Sequence, residues 1–444
     1  MANDFELQAS GANPDQASQK SLHGENGDVS SESAAPATAA SALQRWNKPR
    51  LNMWRLFATF ASFTILGAND AAYGALIPYL ETYYDITYTV ISLVFLSPFA
   101  GYGSAALCVN LIHMKLGVRG VAFLGPCCHI IAYTVTAVHP PYPVLVVIFM
   151  LAGFGNGLLD AAWNAWVGPM ANSNELLGFL HGFYGLGATL SPLIATTMIT
   201  KAGFPWYSFY YIMVGAAVLE TIVCTAAFWS EDGKKFRAEH PRTTDRKGGR
   251  TREALSHKVT WIISLFIFCY VGVEVALGGW IVTFMIRIRK GDPFAAGISS
   301  VGFWLGITIG RVVLGFVSPR IGLKLSVAVY LLISMALELL FWLIPQFIVS
   351  AIAVAFLGFF LAPMFPAGVV AATRLLPKHL HVSAIGFAAA FGGGGASLYP
   401  FIVGAIAQSK GVQTMQPVIL ALMVVVLGLW LALPRRMGRE HEKS

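Results

Sequence analysis

The sequence predicts an all-α membrane protein with twelve transmembrane helices arranged as two six-helix bundles. The first indication is composition, since 56% of the 444 residues are hydrophobic and only 12% are charged, whereas soluble domains carry about 25% charged residues. The second is a series of twelve apolar runs, each near the roughly 20 residues that a helix needs to cross a bilayer. The third is one polar stretch, 230–258, which separates six runs from the other six.

The polar segments at the two ends and between the bundles define the predicted organisation. Residues 1–52 are rich in Ser, Ala, Asn and Gln and have few large apolar side chains, so we expect a disordered tail. The predicted units are a tail 1–52, an N-terminal bundle 53–229, a linker 230–258, a C-terminal bundle 259–433 and a second tail 434–444.

The apolar runs are numbered here as spans 1 to 12 in chain order. Gly, Pro, Asn or charged residues punctuate most of the connections between them. The predicted spans are 53–80, 88–112, 119–138, 143–168, 177–199, 207–229, 259–286, 297–317, 325–345, 348–372, 382–408 and 414–433.

The distribution of basic residues predicts the orientation of these spans. If the N-terminus is cytoplasmic, 24 of the 30 Lys and Arg residues fall in inner segments, which is the bias seen in membrane proteins. The outer segments hold Lys201, Arg287, Arg289, Lys290 and Lys410, and Arg311 lies inside span 8. We therefore expect both tails and the linker to be cytoplasmic. The net charge of +8 reflects topology, and we expect no nucleic-acid partner.

The two halves also repeat a short inner turn. His113–Arg119 follows span 2 and Ser318–Lys324 follows span 8, and both are basic and contain a glycine. Two six-helix bundles joined by a cytoplasmic linker describe the major facilitator fold, whose substrate sites lie at the midplane between the halves.

Span 4 carries a polar stripe inside an apolar run. Asn156, Asp160 and Asn164 are spaced four residues apart and share one face of a helix, with Trp163 beside them. An ionisable group inside a span is expensive and should face a protein interior or a water-filled cavity. Because burial disfavours a charged carboxylate, we expect Asp160 to load and release a proton. The alternative is that the stripe fixes helix packing through hydrogen bonds.

Short motifs follow one another in order along both halves. Span 1 has Asn69-Asp70 followed by Leu76-Ile77-Pro78. Span 4 has Gly155-x-Gly157-x-Leu159-Asp160-Ala161-Ala162-x-Asn164, and the later motifs are Leu180–Gly187, Ser191-Pro192-Leu193, Tyr270–Glu274, Ile309-Gly310-Arg311, Phe365-Pro366-Ala367 and Gly392–Gly395 before Pro400. Over about residues 53–433 the chain resembles the fucose–proton symporter family of the major facilitator superfamily, including its glucose transporter-like and fungal branches.

The chain departs from that family's pattern at three points. His181 stands where the fucose branch has Gln, so the chain looks closer to the glucose transporter-like branch. Asp160 replaces the family's Glu, and Asp70 is one helical turn further from its proline. The loops and the long polar tail suggest a fungal member.

The resemblance implies that the acids of spans 1 and 4, Asp70 and Asp160, divide proton coupling and substrate gating. Glu274 lies one turn from Tyr270 and from Gly278, and Gly278-Gly279-Trp280 would let a sugar ring stack close to the backbone. The residues expected to bind substrate are Asn69, Asn156, Trp163, Asn164, His181, Tyr184, Glu274, Trp280 and Trp304.

Several of these side chains have a second interpretation. Arg311 shares a helical face with Trp304 and could meet an anionic substrate, but an inner gate is the favoured role. His181 could bind substrate or sense protonation, and the alternative is a buried histidine satisfied by its neighbours.

Two further features of the spans are less directly tied to a cavity. Gly392, Gly393, Gly394 and Gly395 either let span 11 bend during transport or allow close packing. Glu220 in span 6 and Glu338 in span 9 lie in spans that the resemblance implies are peripheral, and we expect each to be a structural partner or to lie at the headgroup level.

These observations predict a secondary active transporter that works by alternating access on a small polar organic solute such as a sugar. A proton is the expected coupling ion, and sodium is the alternative. The sequence has no Walker A pattern, no His or Cys cluster at metal spacing and no persuasive nucleophile triad, so we expect no enzyme activity, no metal and no cofactor. We expect a monomer in the plasma or vacuolar membrane. Export of a fungal metabolite by proton antiport, or a non-transporting nutrient receptor, are the alternatives.

Overall fold

The computed structural model describes residues 44–239, 247–377 and 380–434. Within these ranges the regular structure is helical, apart from one isolated bridge between Arg45 and Lys48. Most of the two predicted tails and residues 240–246 of the linker lie outside the described residues.

Each predicted span is a helix in the described part of the chain. Spans 1 to 6 are Leu51–Tyr84, Leu93–Ala137 (spans 2 and 3 together), Tyr142–Val167, Ser173–Thr200 and Ser208–Ala227. Spans 7 to 12 are Lys258–Arg287, Pro293–Ile321, Leu323–Leu343, Phe347–Leu361 with Met364–Leu375, His381–Lys410 and Met415–Ala432. Between them stand the short helices Tyr88–Ile91, Gly233–Glu239 and Lys247–Ser256 and a 3₁₀ turn, Val412–Thr414.

The length and composition of these helices fit a multi-pass membrane protein. Ten helices of the described chain are long and apolar enough to cross a membrane, and one of them, Tyr88–Ala137, holds both span 2 and span 3. Span 1, with 34 residues, completes the set of twelve. Large apolar side chains such as Leu107 and Phe316 are 85% and 71% exposed, as expected of surfaces that face lipid rather than water.

Spans 2 and 3 are separated by Gly117, which occupies the left-handed region with φ 75° and ψ −171°. A Cβ at this position would lie 2.3 Å from the backbone of Asp232 in the linker. Gly322, between spans 8 and 9, also has a positive φ, 97°. The two inner turns that look alike in the sequence therefore share a backbone conformation that favours glycine.

Span 10 differs from its prediction as a continuous helix over 348–372. It ends at Leu361 and resumes at Met364, with Ala362 and Pro363 between the two pieces. Proline lacks an N–H group and its ring clashes with the preceding turn, so an apolar run that crosses Pro363 reads as one span but folds as two helices.

The linker packs against one end of the N-terminal helices, here called the linker end. Arg55 in span 1 forms an ion pair of 2.6 Å with Glu231, and the Arg119 backbone N–H donates to the Glu231 carbonyl at 2.9 Å. The opposite end of the spans is called the far end. Because successive spans alternate in direction, depth along any span can be stated relative to these two ends.

In the described part of the chain the two halves meet mainly where span 1 packs on span 7, span 2 on span 11, and span 5 on span 8. At the far end, a Cβ on Gly74 would lie 2.1 Å from the carbonyl oxygen of Gly278, and one on Gly297 would lie 2.3 Å from Thr196. An ion pair of 3.2 Å between Arg287 and Glu81 joins the same end. The far end is therefore closed by close backbone approach between the halves.

Candidate functional site

The Asp70 carboxylate is the centre of a hydrogen-bond group formed by spans 1, 4 and 5. The Asn69 and Asn156 side-chain amides donate to Oδ1 at 3.1 and 2.9 Å, and the Tyr184 hydroxyl donates to Oδ2 at 2.9 Å. Three donors from three helices are the arrangement that stabilises an ionised carboxylate at a fixed position. Four predicted site residues therefore meet at one point, called the Asp70 group below.

The Asn69 amide is itself held in place by a tyrosine one turn away. Its Nδ2 donates to the Tyr73 hydroxyl at 3.1 Å, and the Tyr73 ring packs edge-on against Phe149 of span 4, with ring centroids 5.0 Å apart. Tyr73 was not predicted as a site residue. Its spacing of four from Asn69 is the signal that would have pointed to it.

The polar stripe of span 4 divides between two partners. Asn156 is fully buried and binds Asp70. Asp160, one turn nearer the linker end, accepts from Asn164 Nδ2 at 2.9 Å. Asp160 and Asn164 are half-buried. The two carboxylates are close enough to interact electrostatically, so an ionised Asp160 would add negative charge beside the Asp70 group.

Trp163, which we expected to bind substrate, lies away from this group in the structure. It has no exposed surface, its indole N–H donates to Ser62 Oγ at 2.9 Å, and it stacks on Phe228 with ring centroids 4.7 Å apart. Span 4 is apolar on most sides, so spacing did not reveal that Trp163 turns toward spans 1 and 6 inside the N-terminal bundle.

A second charged group stands in the C-terminal half. Arg311 of span 8 forms an ion pair of 3.2 Å with Glu274 of span 7, and the Tyr270 hydroxyl donates to the other Glu274 oxygen. Glu274 is 6% exposed and Arg311 is half-buried. Arg311 thus bonds within its own half in this conformation, and the gate predicted for it is not a contact seen here.

Span 5 lies between the two charged groups. The Tyr184 hydroxyl, which binds Asp70, is also within electrostatic reach of Glu274 and Arg311. His181, one turn earlier, packs edge-on against Phe63 with ring centroids 5.5 Å apart and interacts electrostatically with Arg311. The acid of the N-terminal half and the ion pair of the C-terminal half therefore face each other across span 5.

The aromatic residues predicted in spans 7 and 8 have structural partners at the far end. Trp280 is fully buried and donates its indole N–H to the Pro400 carbonyl at 2.9 Å. A Cβ on Gly278 would lie 2.6 Å from Trp304, and one on Gly279 would lie 2.5 Å from Phe95. In this conformation these side chains and the close approach of span 1 occupy the surroundings of Gly278-Gly279-Trp280, and Trp280 anchors span 7 to span 11. The binding role of Trp280 stays a prediction.

The run Gly392–Gly395 is helical throughout in span 11. A Cβ on Gly395 would lie 1.9 Å from the Phe268 carbonyl oxygen of span 7. Close packing therefore explains Gly395 in this conformation. The predicted bend during transport stays a prediction.

Two acids predicted as structural partners have different surroundings. Glu220 accepts from Ser62 and bonds His129. Glu338 has no exposed surface, and neither of its oxygens has a hydrogen-bond partner among the described residues. The described residues also contain no group of three or more His, Cys, Asp or Glu side chains suited to a metal ion.

Comparison with known proteins decides the family. The model of the Major Facilitator Superfamily matches residues 57–337 and 276–444. The chain belongs to the Major Facilitator Superfamily. It is a multi-pass membrane transporter and not an enzyme, and the resemblance drawn from its motifs is confirmed.

Two relatives and one solved structure illustrate this superfamily membership. The chain is 29% identical to Bypass of stop codon protein 6 of Saccharomyces cerevisiae, over 88% of this chain and 84% of the relative. It is 24% identical to the glucose/mannose transporter GlcP of Bacillus subtilis, over 83% and 92% of the two chains. The crystal structure of the transporter FucP in its outward conformation matches with a TM-score of 0.59 and 16% identity, over 86% and 99% of the two chains.

Proposed function

We propose that this transporter carries a sugar or a similar polyhydroxylated solute together with a proton, and that Asp70 is the proton carrier. The observation that carries the proposal is the Asp70 group, in which both carboxylate oxygens accept hydrogen bonds from three helices. The substrate named for GlcP of Bacillus subtilis supports a sugar as the solute.

Protonation of Asp70 changes what its neighbours can bind. The ionised carboxylate engages the Asn156 amide and the Tyr184 hydroxyl as donors. A neutral Asp70 is itself a donor and a weaker acceptor, so the amide and the phenol become available to hydroxyl groups of a sugar. Proton binding and solute binding would therefore favour one another through the same hydrogen bonds.

The same neutralisation gives a physical basis for obligatory coupling. Moving an unpaired charge through a closed membrane site is expensive, and the C-terminal half already holds its Glu274–Arg311 charges as a pair. An ionised Asp70 would leave net negative charge in the occluded site, increased by Asp160. The protonated state is cheaper to occlude, so the halves would exchange access when Asp70 carries its proton.

Orientation and direction follow from the same assignment. With the linker end cytoplasmic, as the basic residues predict, the contacts at Gly74 and Gly278 close the outer side. The site would then open toward the cytoplasm in this conformation. The plasma membrane is the simplest location for solute entry with a proton, and the vacuolar membrane is the other candidate.

The test is solute-driven proton movement in proteoliposomes that contain the purified protein, with sugars and sugar alcohols added one at a time. We expect external alkalinisation on addition of the correct solute, and we expect Asp70→Asn to abolish it while solute exchange across the membrane continues. Asp160→Asn should weaken coupling less, because Asp160 has one amide partner where Asp70 has three donors.

The matched control is Glu338→Gln, which makes the same chemical change at a buried acid of the other half. It should leave proton movement intact. Full proton movement in Asp70→Asn would overturn the assignment, and its loss in Asp160→Asn alone would transfer the role to span 4. Solute movement that needs sodium would indicate sodium symport, and solute movement opposite to the proton would indicate antiport. Binding of the solute without any movement would indicate a receptor.

A further inference from the structure

A buried histidine–carboxylate pair lies inside the N-terminal bundle, outside the Asp70 group. His129 of span 3 and Glu220 of span 6 are joined by a bond of 2.9 Å from Nδ1 to Oε2, and neither side chain has exposed surface. Glu220 Oε1 accepts from Ser62 Oγ of span 1 at 2.6 Å, and Ser62 accepts from the Trp163 indole. Four helices of one half therefore converge on this pair.

The pair is isolated from compensating charge. In the described part of the chain no Lys or Arg lies within ion-pair distance of either side chain. The titratable groups that interact with the pair are Asp70 of span 1, Tyr133 of span 3 and Cys224 of span 6. Span 4 contributes the neutral Trp163, through Ser62, and Gly155. None of these can neutralise an anionic Glu220.

This isolation determines the charge that the pair can carry. A neutral imidazole beside an ionised carboxylate would leave one net negative charge in an apolar interior, which is costly. One proton shared by the two groups removes that net charge, either as imidazolium with carboxylate or as two neutral groups. The pair therefore binds a proton as a unit.

The second nitrogen of His129 points toward the Asp70 group. Nε2 has no hydrogen-bond partner among the described residues, and a Cβ on Gly155 would lie 2.9 Å from it. Gly155 precedes Asn156, whose amide binds Asp70. A charged His129 ring would also interact electrostatically with the Asp70 carboxylate. His129 Nε2 therefore approaches span 4 at the residue before the asparagine that binds Asp70.

We propose that His129 and Glu220 form a second proton-binding site inside the N-terminal bundle, and that this site, in its imidazolium–carboxylate form, favours ionisation of Asp70 across span 4. This inference rests on the proposed role of Asp70 in proton coupling. The ligand of the new site is a proton, and its charge acts on Asp70 without any contact with the solute.

The test uses Glu220→Gln and His129→Gln in full-length protein in proteoliposomes. Either change removes the imidazolium–carboxylate pair, since each variant lacks one of its two members. Asp70 then loses a nearby positive charge and keeps its proton to a higher pH. Both variants should shift the alkaline midpoint of proton-coupled solute uptake upward by about one pH unit, and the double variant should shift it no further.

A purely structural pair would lower expression or thermal stability and leave the midpoint in place. Glu338→Gln is the matched control, because it replaces another fully buried acid in the other half, and it should not move the midpoint. An unchanged midpoint in both folded variants, or opposite shifts in the two, would overturn the inference.

A second measurement does not depend on Asp70 or on transport. Infrared difference spectra between acidic and alkaline pH should contain a histidine ring signal. His129→Gln should remove this signal, and Glu220→Gln should remove it or move its pH midpoint by at least about one pH unit. Asp70→Asn should retain the signal. If Asp70 is not the proton carrier, this signal still reports proton binding by the His129–Glu220 pair. Identical spectra of the wild type and His129→Gln would refute the second proton-binding site.

Discussion

Removal of the Tyr184 hydroxyl tests the Asp70 group with a single atom. Tyr184 OH is the donor to Asp70 Oδ2, at 2.9 Å, and Oδ1 is occupied by two amides. A hydrogen bond to a charged group contributes about 1.5–3 kcal/mol, and 1.36 kcal/mol corresponds to one pH unit in proton affinity. Tyr184→Phe therefore destabilises the ionised form alone and should raise the pH of proton release by about 1–2 units.

The sign follows from which form the hydroxyl stabilises. The bond favours ionised Asp70, so its loss keeps the proton bound to a higher pH, and the alkaline limb of proton-coupled uptake should move upward. The assay is initial solute uptake into proteoliposomes at equal internal and external pH, measured across a pH series. Exchange of labelled for unlabelled solute reports folded protein in the same vesicles.

Tyr210→Phe is the matched control for this substitution. Tyr210 is a buried tyrosine of span 6 in the same half, and its hydroxyl has no hydrogen-bond partner in the described part of the chain. Its removal should leave the pH profile of uptake unchanged. If Tyr184→Phe folds and exchanges solute with the wild-type profile, the Tyr184 bond does not set the protonation of Asp70, and the coupling mechanism is refuted.

Two further changes test the C-terminal ion pair and the closed far end. Glu274→Gln leaves Arg311 unpaired and should lower the free energy of unfolding by about 3–5 kcal/mol, which is measured as a loss of thermal stability in detergent. Adding Arg311→Gln should restore part of the lost stability, because it removes the unpaired charge. Equal losses in the single and double variants would contradict a coupled pair. Gly74→Val places side-chain atoms where a Cβ alone would lie 2.1 Å from the Gly278 carbonyl oxygen. The resulting strain of a few kcal/mol should open the far end, so that labelling of a cysteine introduced into the cavity near that end increases at least about tenfold. Gly103→Val, where a Cβ meets nothing within 4 Å, should label like wild type, and identical labelling of the Gly74 variant would mean that this contact does not hold the far end closed.

The spans were predictable because hydrophobic length is a local property. A run of about 20 apolar residues must form a helix in a bilayer, whatever it packs against. The glycine turns at Gly117 and Gly322 were recognisable for a similar reason, since each joins two spans within a few residues. The break at Pro363 lay inside an apolar run, where composition alone indicates continuity.

The candidate site was predictable in its residue types and less so in its contacts. Buried acids and amides in spans are rare and costly, so Asp70, Asp160 and Asn156 were identifiable from residue type. Their pairing was not, because Asn156 and Tyr184 are 86 and 114 positions from Asp70 in the chain. The sequence favoured Asp160 as the proton carrier, whereas in the structure Asp70 accepts more side-chain hydrogen bonds than Asp160 does.

The direction in which aromatic and charged side chains point depended on tertiary packing. Trp163 shares a helix with the polar stripe, yet it faces Ser62 and Phe228 because spans 1 and 6 pack on that side. Trp280 follows two glycines, yet those glycines admit span 1 and Phe95 rather than a solute. The pairing of His129 with Glu220 likewise joins residues 91 positions apart. Hydropathy along the chain is enough to define the membrane helices, but in helices that are apolar on nearly every side only the neighbouring helices determine which face is a site and which is core.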